Sequence, residues 1–455
     1  MNASTEVSFQ IHLPHRQPNP GGIMAEHRNW KRRLAEKQAR KALAELYGAD
    51  GGTQGQRYLA LAELAERDLL AEDGASPGAE LAFYSAPGRT ELGGNHTDHN
   101  RGRVLCAAVS LDAVACVAPT AGSLVKLRSE GYPEPIIVDL SSLEPILSER
   151  GSTAALVRGV AAAMAKRGAR LRGFTGRIAS DVLCGSGLSS SAAVEVLLGT
   201  IIADLAGVEV SPLDLARMGQ YAENEYFGKP CGLMDQTASA VGGVVAIDFA
   251  DPSAPRVKNI DYDFAREGYE LVVVNTGGSH ADLTADYAAV PAEMKAVASL
   301  FGAKYLREVE TIQIIARGPE IRAACGDRAF LRALHFAGEN ARVAEMVEAL
   351  EDGDLGEYLK LVKKSGSSSR DLLQNIYPPS SPSEQGISVA LALSAEFIGR
   401  KGAWRIHGGG FAGTIQAYVP VKRSAAYAEL MSRYFGPGSV IPVSVRARGA
   451  LKVRA

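Results

Sequence analysis

The sequence predicts an α+β fold built from two or three domains. Its 455 residues exceed the size of one typical domain, and its hydrophobic (46%) and charged (22%) contents are ordinary for a globular protein. Strand-like runs are interleaved with helical runs, but strand and helix do not alternate regularly, and this pattern favours α+β. We find no internal repeat.

Charge and cysteine content exclude several classes of protein. The net charge of −2, from 49 basic and 51 acidic residues, argues against nucleic acid as a partner. The cysteines are odd in number and none forms a CxxC pair, which predicts reduced thiols in a cytoplasmic protein without a zinc site. No apolar run reaches the ~18 residues of a membrane span, and the first residues lack the apolar core of a signal peptide. We therefore expect neither a membrane partner nor secretion.

The first 80 residues form an extension of their own. Residues 1–24 are polar and rich in Pro, Asn and Gly, so we expect poor order there. Helical spacing predicts one helix over 25–48 and a second over 57–71. Between them, residues 48–55 contain several glycines that follow no strand, and this predicts a linker.

The remainder divides into an expected first domain, 81–268, and second domain, 269–455, because the best boundary lies at 265–270. In the first domain we predict strands at 81–84, 104–109, 113–118, 176–183 and 244–249, and helices at 153–168, 192–205 and 212–227. In the second we predict strands at 271–275, 403–406 and 414–419, and helices at 290–301, 319–324, 340–351 and 386–398.

One polar segment, Ser85–Asn100, follows the first of these strands. It places a cation (Arg89), an amide (Asn95), an imidazole (His96) and a carboxylate (Asp98) within ten residues. Convergent hydrogen-bonding groups of this kind suit a polyol such as a sugar. The alternative is a polar turn between two strands.

The second segment, residues 184–191, runs from a strand into a helix and has the sequence CGSGLSSS. Glycines allow the backbone to approach a ligand closely, and serines at the start of a helix lie beside unpaired N–H groups. Together these features predict an anion site, which we call the phosphate loop. No lysine closes it, so it is not a Walker A motif, and a serine-capped helix is the alternative.

Two further glycine-rich segments carry candidate groups. Residues 229–236 (KPCGLMDQ) hold one acid, Asp235, which is a candidate base or else a helix cap. Residues 407–413 (HGGGFAG), the glycine segment, lie between two predicted strands. Three consecutive glycines indicate close packing of the main chain, with a flexible hairpin as the alternative.

These four segments, in this order, resemble the GHMP kinase superfamily and, within it, the galactokinase family. The resemblance runs from about residue 81 to the C-terminus. It implies an N-terminal mixed α/β domain, a C-terminal ferredoxin-like α+β domain and an active site between them. It also implies transfer of the ATP γ-phosphate to the anomeric hydroxyl of a sugar, with ATP and Mg²⁺ as cofactors. Phosphoryl transfer needs mostly positioning and charge neutralisation, so this residue set is chemically sufficient.

The resemblance also assigns residues to roles. Asp235 would be the base or electrostatic partner of the hydroxyl, with Arg89 beside it. The metal would be held by Ser190 or Ser191 together with Glu223. The sugar would be read by Asn95, His96, Asp98, Gly232 and Tyr287. ATP would be bound by Gly185, Ser186, Gly187, Leu188, Ser189, Ser190 and Ser191.

The chain departs from the galactokinase pattern at a few positions. Asn95 replaces the usual glutamate, which is expected to read the sugar's 6-hydroxyl, and His99 replaces a tyrosine. Glu91 stands where asparagine is usual, and Ala412 replaces a glycine of the third motif. Galacturonokinases resemble the chain at positions 95 and 99, so a shifted C6 preference, for galacturonate or another C6-modified sugar, is an alternative to galactose. A further alternative is a non-catalytic sugar and ATP sensor. The sequence leaves open whether the protein is a monomer or a dimer.

Overall fold

The computed structural model describes residues 34, 36–48, 51–70, 80–182, 187–229, 231–278 and 283–454. The strands are β1 Ala82–Gly93, β2 Arg103–Pro119, β3 Leu124–Ser129, β4 Ile136–Asp139, β5 Phe174–Ser180, β6 Val244–Asp248, β7 Arg256–Ile260, β8 Tyr269–Asn275, β9 Ala403–His407, β10 Thr414–Pro420, β11 Val440–Val443 and β12 Leu451–Val453. The helices are α1 Lys37–Tyr47, α2 Gly51–Leu70, α3 Thr153–Lys166, α4 Ser190–Ala206, α5 Pro212–Tyr221, α6 Met234–Val241, α7 Thr284–Leu300, α8 Thr311–Ala316, α9 Gly318–Cys325, α10 Asp327–Glu351, α11 Leu355–Ser368, α12 Gly386–Ile398 and α13 Val421–Phe435.

The larger sheet has the strand order β12-β1-β2-β5-β3-β4, and β6 and β7 extend it from β2. Its pairs are antiparallel except for β3 and β5. We predicted two short strands at 104–109 and 113–118, but the structure has one long strand, β2, whose two parts pair with the same partner across a register shift. Alternate side chains of β1 and β2 are buried on opposite faces of the sheet, so both faces are covered.

The smaller sheet is antiparallel, with the order β11-β8-β10-β9. The chain passes from the larger sheet to the smaller between β7 and β8, near the predicted boundary. However, β12 returns to pair with β1, so the last residues add a strand to the larger sheet. The division at 81–268 and 269–455 stays a prediction, and β12 departs from it.

Several local predictions are confirmed. Ser211 caps α5 by accepting a hydrogen bond from the Asp214 N–H, and Pro212 is the first helical residue. The helix continues as a π-helical turn, Ala222–Phe227. The helices α6, α8, α11 and α13 were not predicted. Among the described residues, no helix is long and apolar enough to cross a membrane.

The predicted glycine linker at 48–55 is wrong, because Gly51, Gly52 and Gly55 lie within α2. A side chain at Gly51 would meet backbone atoms of Ala44 at 3.1 Å, so this glycine lets α2 begin directly against α1. Tertiary contact thus overrides the low helix propensity of glycine. The predicted poor order of residues 1–24 lies outside the described residues.

Candidate active site

Arg89 and Asp235 form the centre of the site. Arg89 extends from β1, and its Nε and Nη2 atoms donate to the two carboxylate oxygens of Asp235, each at 2.8 Å. The arginine is 8% exposed whereas the aspartate is 32% exposed, so the carboxylate still faces open space. This bidentate pairing fixes the orientation of the carboxylate.

Asp235 is the second residue of α6 and is not its cap. The Ser189 hydroxyl also donates to it. Burial raises the pKa of this carboxyl, but the Arg89 charge and the hydrogen bonds from Arg89 and Ser189 outweigh burial, so the pKa lies below its usual range. Asp235 is therefore ionised at neutral pH.

The described part of the phosphate loop lies against this pair. The carbonyl of Gly187 accepts from the Arg89 side chain, and the carbonyl of Leu188 accepts from the Arg89 N–H at 3.0 Å. Ser189 has φ +58°, an uncommon value for serine, and its side chain makes no capping bond. The Ser189 side chain therefore does not cap α4, although a serine-capped helix was the alternative prediction for this segment. Gly185 and Ser186 lie outside the described residues.

The expected metal ligands converge behind the loop. The Ser191 hydroxyl donates to Glu223 Oε1 at 3.2 Å, and Glu223 lies in the π-helical turn. The Lys229 ammonium contacts the same carboxylate oxygen at 3.1 Å. Gln236 donates to Glu223 at 3.1 Å and to Glu195 at 2.9 Å. Burial and then the Glu223 charge raise the pKa of Glu195 well above its usual range.

This donor set fits Mg²⁺ bound jointly with phosphates. Among the described residues, no group of three or more His, Cys, Asp or Glu side chains forms a cage for a metal. Mg²⁺ instead favours one or two carboxylates and hydroxyl or phosphate oxygens, which Glu223 and Ser191 can begin to supply. Lys229 is 64% exposed, so its long side chain can leave Glu223 when another cation binds.

Asp98 and Gly232, both predicted to bind sugar, are in contact. A Cβ added at Gly232 would lie 2.2 Å from Asp98 Oδ2. The other oxygen of Asp98 accepts from the His99 N–H at 2.9 Å. Burial raises the pKa of Asp98, the hydrogen bond from His99 opposes this, and the nearby Asp235 charge adds to it. The charges of Asp98 and Asp235 are thus close enough to interact.

Three predicted sugar ligands hold the glycine segment. Asn95 Nδ2 donates to the carbonyl of Gly408 at 2.6 Å, His96 Nε2 to that of Gly409 at 2.8 Å, and the Tyr287 hydroxyl to that of Gly410 at 2.7 Å. Burial lowers the pKa of His96 to about 4, so its ring is neutral, and Nε2 carries the proton. The three glycines are therefore a tightly packed backbone and not a flexible hairpin.

The predicted role of Asn95 in reading the 6-hydroxyl needs correction. Its side-chain nitrogen donates to Gly408 and, at 3.1 Å, to Glu91, and its oxygen accepts from Asn375 at 2.9 Å and Ser369 at 3.3 Å. An amide has two donors and two acceptor positions, so no hydrogen-bonding position is left for a ligand. Asn95 is fully buried and acts as a structural connector.

Sequence reasoning missed the polar groups that surround Asn95. Glu91 pairs with Arg405 at 2.6 Å, and both side chains are buried. The Nε2–H group of His335 donates to the Asn95 carbonyl at 2.9 Å, because a carbonyl oxygen can only accept. His407 bridges Thr90 and Thr414, each at 3.0 Å. Glu91, four residues before Asn95, and the histidine of the glycine segment were visible in the motifs, whereas His335 and Arg405 lie in segments that carried no signal.

Ala412 is accommodated by a neighbouring glycine. A Cβ added at Gly278 would lie 2.9 Å from the methyl group of Ala412. Gly278 therefore provides the space for the methyl group of Ala412, whereas the family pattern has glycine at position 412 itself. His280, in the segment that precedes Tyr287, lies outside the described residues.

Comparisons with known proteins identify the family. The family model "GHMP kinases N terminal domain" matches residues 155–243, and "Galactokinase galactose-binding signature" matches residues 74–119. A galactokinase of Actinobacillus pleuropneumoniae is 33% identical over 339 residues, which is 74% of this chain and 84% of that protein. A galactokinase of Streptomyces coelicolor is 34% identical over 372 residues, 80% of this chain and 88% of that protein.

Solved structures share the fold. Lactococcus lactis galactokinase complexed with galactose matches with a TM-score of 0.71 and 25% identity over 86% of this chain and all of that chain. A mevalonate kinase matches with a TM-score of 0.57 at 15% identity over 81% of this chain and 99% of that chain, which shows the fold alone. On the identity and coverage of its relatives, this chain belongs to the galactokinase family of the GHMP kinases.

Proposed function

We propose that the chain transfers the γ-phosphate of ATP to the anomeric hydroxyl of D-galactose, giving galactose 1-phosphate and ADP. The convergence of Arg89, Asp235 and Ser189 at the start of α4 carries this proposal. It sets an ionised carboxylate, suited to hold a hydroxyl, beside N–H groups suited to hold a phosphate. The galactokinases of A. pleuropneumoniae and S. coelicolor support galactose as the acceptor.

The nucleotide would lie against the phosphate loop, Gly185–Ser191. Its phosphates would face the first turn of α4, where the helix dipole and the backbone N–H groups attract anions. A Cβ at Gly187 would lie 2.9 Å from Thr414 and 3.0 Å from His407, so the loop also packs against the glycine segment and the strand after it. These contacts support a site between residues 81–268 and 269–455, the two proposed domains.

Asp235 would accept a hydrogen bond from the anomeric hydroxyl and orient its oxygen toward phosphorus. Its depressed pKa makes it a weak base, but a loose phosphoryl transition state needs little basicity from the carboxylate. Arg89 would keep Asp235 ionised and stabilise charge that develops on the transferring group. Ser189 would exchange its present bond to Asp235 for a bond to a ligand.

Ser190, Ser191 and Glu223 would hold Mg²⁺ beside the phosphates. When bound, the ion would supply neutralisation of phosphate charge. In the structure the Lys229 ammonium donates to Glu223 Oε1, and it would move away from this oxygen when the metal binds. Gln236, which donates to both Glu195 and Glu223, would orient Glu223, and burial raises the pKa of Glu195 well above its usual range.

The sugar would be bound by Asp98, with His96, Gly232 and Tyr287 shaping its surroundings. A carboxylate can accept from two adjacent hydroxyls, which allows discrimination at C3 and C4. Gly232 leaves the space that the Asp98 carboxylate occupies. His96 and Tyr287 would act chiefly by holding the glycine segment in place.

A C6 acid is the second candidate substrate. Asn95 offers a ligand no hydrogen bond, but it also carries no charge, and the Glu91 carboxylate that it contacts is paired with Arg405. A 6-carboxylate on the sugar would therefore meet less repulsion than beside a glutamate at this position. Galacturonate, or another C6-modified galactose, follows as the alternative.

The proposal is tested by ADP release from Mg·ATP with galactose, galacturonate, fucose, arabinose and glucose. We expect turnover led by galactose. Asp235→Asn should lower kcat by about 10²–10⁴-fold, with ATP affinity retained. Exposed Glu225→Gln, in the same π-helical turn as Glu223, is the matched control and should leave kcat unchanged.

Turnover led by galacturonate would replace galactose with the C6 acid. No ADP from any sugar, with galactose still raising the melting temperature, would overturn the catalytic proposal in favour of a sugar and ATP sensor. An active Asp235→Asn enzyme would remove Asp235 from the mechanism.

A further inference from the structure

The described helices of the extension, α1 and α2, cover the outer face of the larger sheet. Apolar side chains of α1 and α2 pack on β1, β2 and β5. Within this layer lies one fully buried carboxylate, Asp112, on β2. It accepts from Tyr47 at 2.5 Å, from Arg57 at 2.7 Å and from Arg446 at 2.8 Å, as well as from Ser85. The extension is thus anchored by charge as well as by apolar burial.

Arg57 of α2 makes further contacts at the end of β5. Its Nη1 atom pairs with Asp181 at 2.8 Å, and Nη2 donates to the carbonyls of Asp112 at 3.0 Å and Ala179 at 3.3 Å. Asp181 follows β5 directly and is one residue before Val182, where the chain approaches the phosphate loop. The Arg57 guanidinium therefore connects the extension to the residues that lead into the phosphate loop.

Val182 packs against β1, the strand that carries Arg89. A Cβ at Gly88 would lie 3.0 Å from the Val182 side chain and 2.8 Å from the Leu188 carbonyl, so Val182, Gly88 and Leu188 pack together. Gly88 precedes Arg89, whose N–H donates to that same carbonyl of Leu188. A shift of Asp181 and Val182 would therefore disturb the contacts of Gly88 with Val182 and Leu188 that support the start of α4.

We propose that Arg57 is a positioning residue for nucleotide binding, and that the extension serves to hold Asp181 and Val182 against Gly88. This inference rests on the proposed function, in which α4 begins at the ATP phosphates. The role is separate from general anchoring, because Asp112 keeps Tyr47, Arg446 and Ser85 when Arg57 is changed. Affinity for ATP should respond to Arg57, whereas affinity for the sugar should not.

The chain offers a matched control on the same two elements. Asp68, also on α2, pairs with Arg177 of β5 at 2.6 Å, four residues before Asp181. Arg57→Gln removes the ion pairs with Asp112 and Asp181, and Asp68→Asn removes those with Arg177 and, at 3.8 Å, Arg128, but only the first change lies beside the phosphate loop. Arg57→Lys keeps the charge without the planar fork. Asp181→Asn, a milder change at a half-exposed side chain, serves if Arg57→Gln fails to fold.

The experiment measures KM for ATP, KM for the sugar, kcat and melting temperature in the full chain, and ATP affinity by calorimetry. We expect Arg57→Gln, or Asp181→Asn, to raise the KM and Kd for ATP about 3- to 30-fold, with KM for the sugar unchanged. Asp68→Asn should leave both KM values unchanged, and Arg57→Lys should restore ATP affinity in part.

The inference is overturned if Arg57→Gln and Asp181→Asn bind ATP like the parent protein, or if Asp68→Asn weakens ATP to the same extent. It is also overturned if the KM values for ATP and sugar rise together, since that indicates general loosening. A parent protein that neither binds nor consumes ATP would instead refute the proposed function.

Discussion

A methyl group added at Gly232 tests the sugar end of the site with little effect on the fold. The new Cβ would lie 2.2 Å from Asp98 Oδ2 and 3.4 Å from its Cγ. Non-bonded heavy atoms rest about 3.5 Å apart, so the carboxylate oxygen must move by about 1 Å. The displaced atom is the end of a side chain, and Gly232 is exposed, so the fold can absorb this shift.

We expect Gly232→Ala to separate function from stability. A misplacement of about 1 Å in a positioning group can cost about 10²-fold in rate, so kcat/KM for galactose should fall by about that factor. The free energy of unfolding should change by less than about 0.5 kcal/mol, as for most exposed substitutions. KM for ATP should not change, because the phosphate loop is not displaced.

The assay is ADP release at varied galactose and varied ATP, together with urea unfolding. Gly52→Ala is the control, since a Cβ there meets nothing within 4 Å and Gly52 lies in α2, away from the site. Unchanged kcat/KM for galactose in Gly232→Ala would refute the placement of Asp98 at the sugar. A parallel loss of ATP affinity would show that the methyl group disturbs more than Asp98.

Three further predictions concern single side chains. Glu223→Gln should raise the Mg²⁺ concentration for half-maximal activity by about 10- to 100-fold, while Glu225→Gln leaves it unchanged; equal Mg²⁺ curves would exclude Glu223 as a ligand. Asn95→Ala should lower the free energy of unfolding by about 2–4 kcal/mol, because it orphans buried partners; a rise in sugar KM without loss of stability would return Asn95 to sugar binding. Burial raises the pKa of the Glu339 carboxyl, but Arg342 and other neighbours lower it by more, to about 2. The ionised carboxylate therefore contributes its full stabilisation of the folded state above the usual pKa of 4.5, and this contribution is lost as the pH falls toward 2. Glu339→Gln should therefore cost about 3 kcal/mol at pH 7 and flatten the acid dependence of urea unfolding between those pH values; parallel profiles would refute this.

Local sequence determined the elements whose signals are short in range. The Ser211–Pro212 pair set the start of α5, and the glycine-and-serine run at 184–191 predicted a strand leading into a helix. The four ordered motifs were sufficient for the family, since each is a contiguous segment. The low helix propensity of glycine was misleading at Gly51, because the close approach of α1 is not a local property.

The environment of Asn95 depends on long-range contacts that no local pattern reveals. Its partners Ser369, Asn375 and Gly408 lie 274, 280 and 313 residues away, so no local pattern could indicate that they would consume its amide. The same holds for Arg57, whose role depends on residues of β2 and β5 that meet it across the sheet.

The amino-acid sequence specifies which chemical groups this protein possesses and the order in which they occur. It does so because helix caps, turns and strand patterns depend on neighbours a few residues apart. Long-range packing then set which of those groups stay partly exposed and which are hydrogen-bonded to one another. Hydrogen-bonding capacity is limited for each side chain, and burial requires that it be used, so folding leaves Asp98 and Asp235 partly exposed and commits the Asn95 amide to the interior.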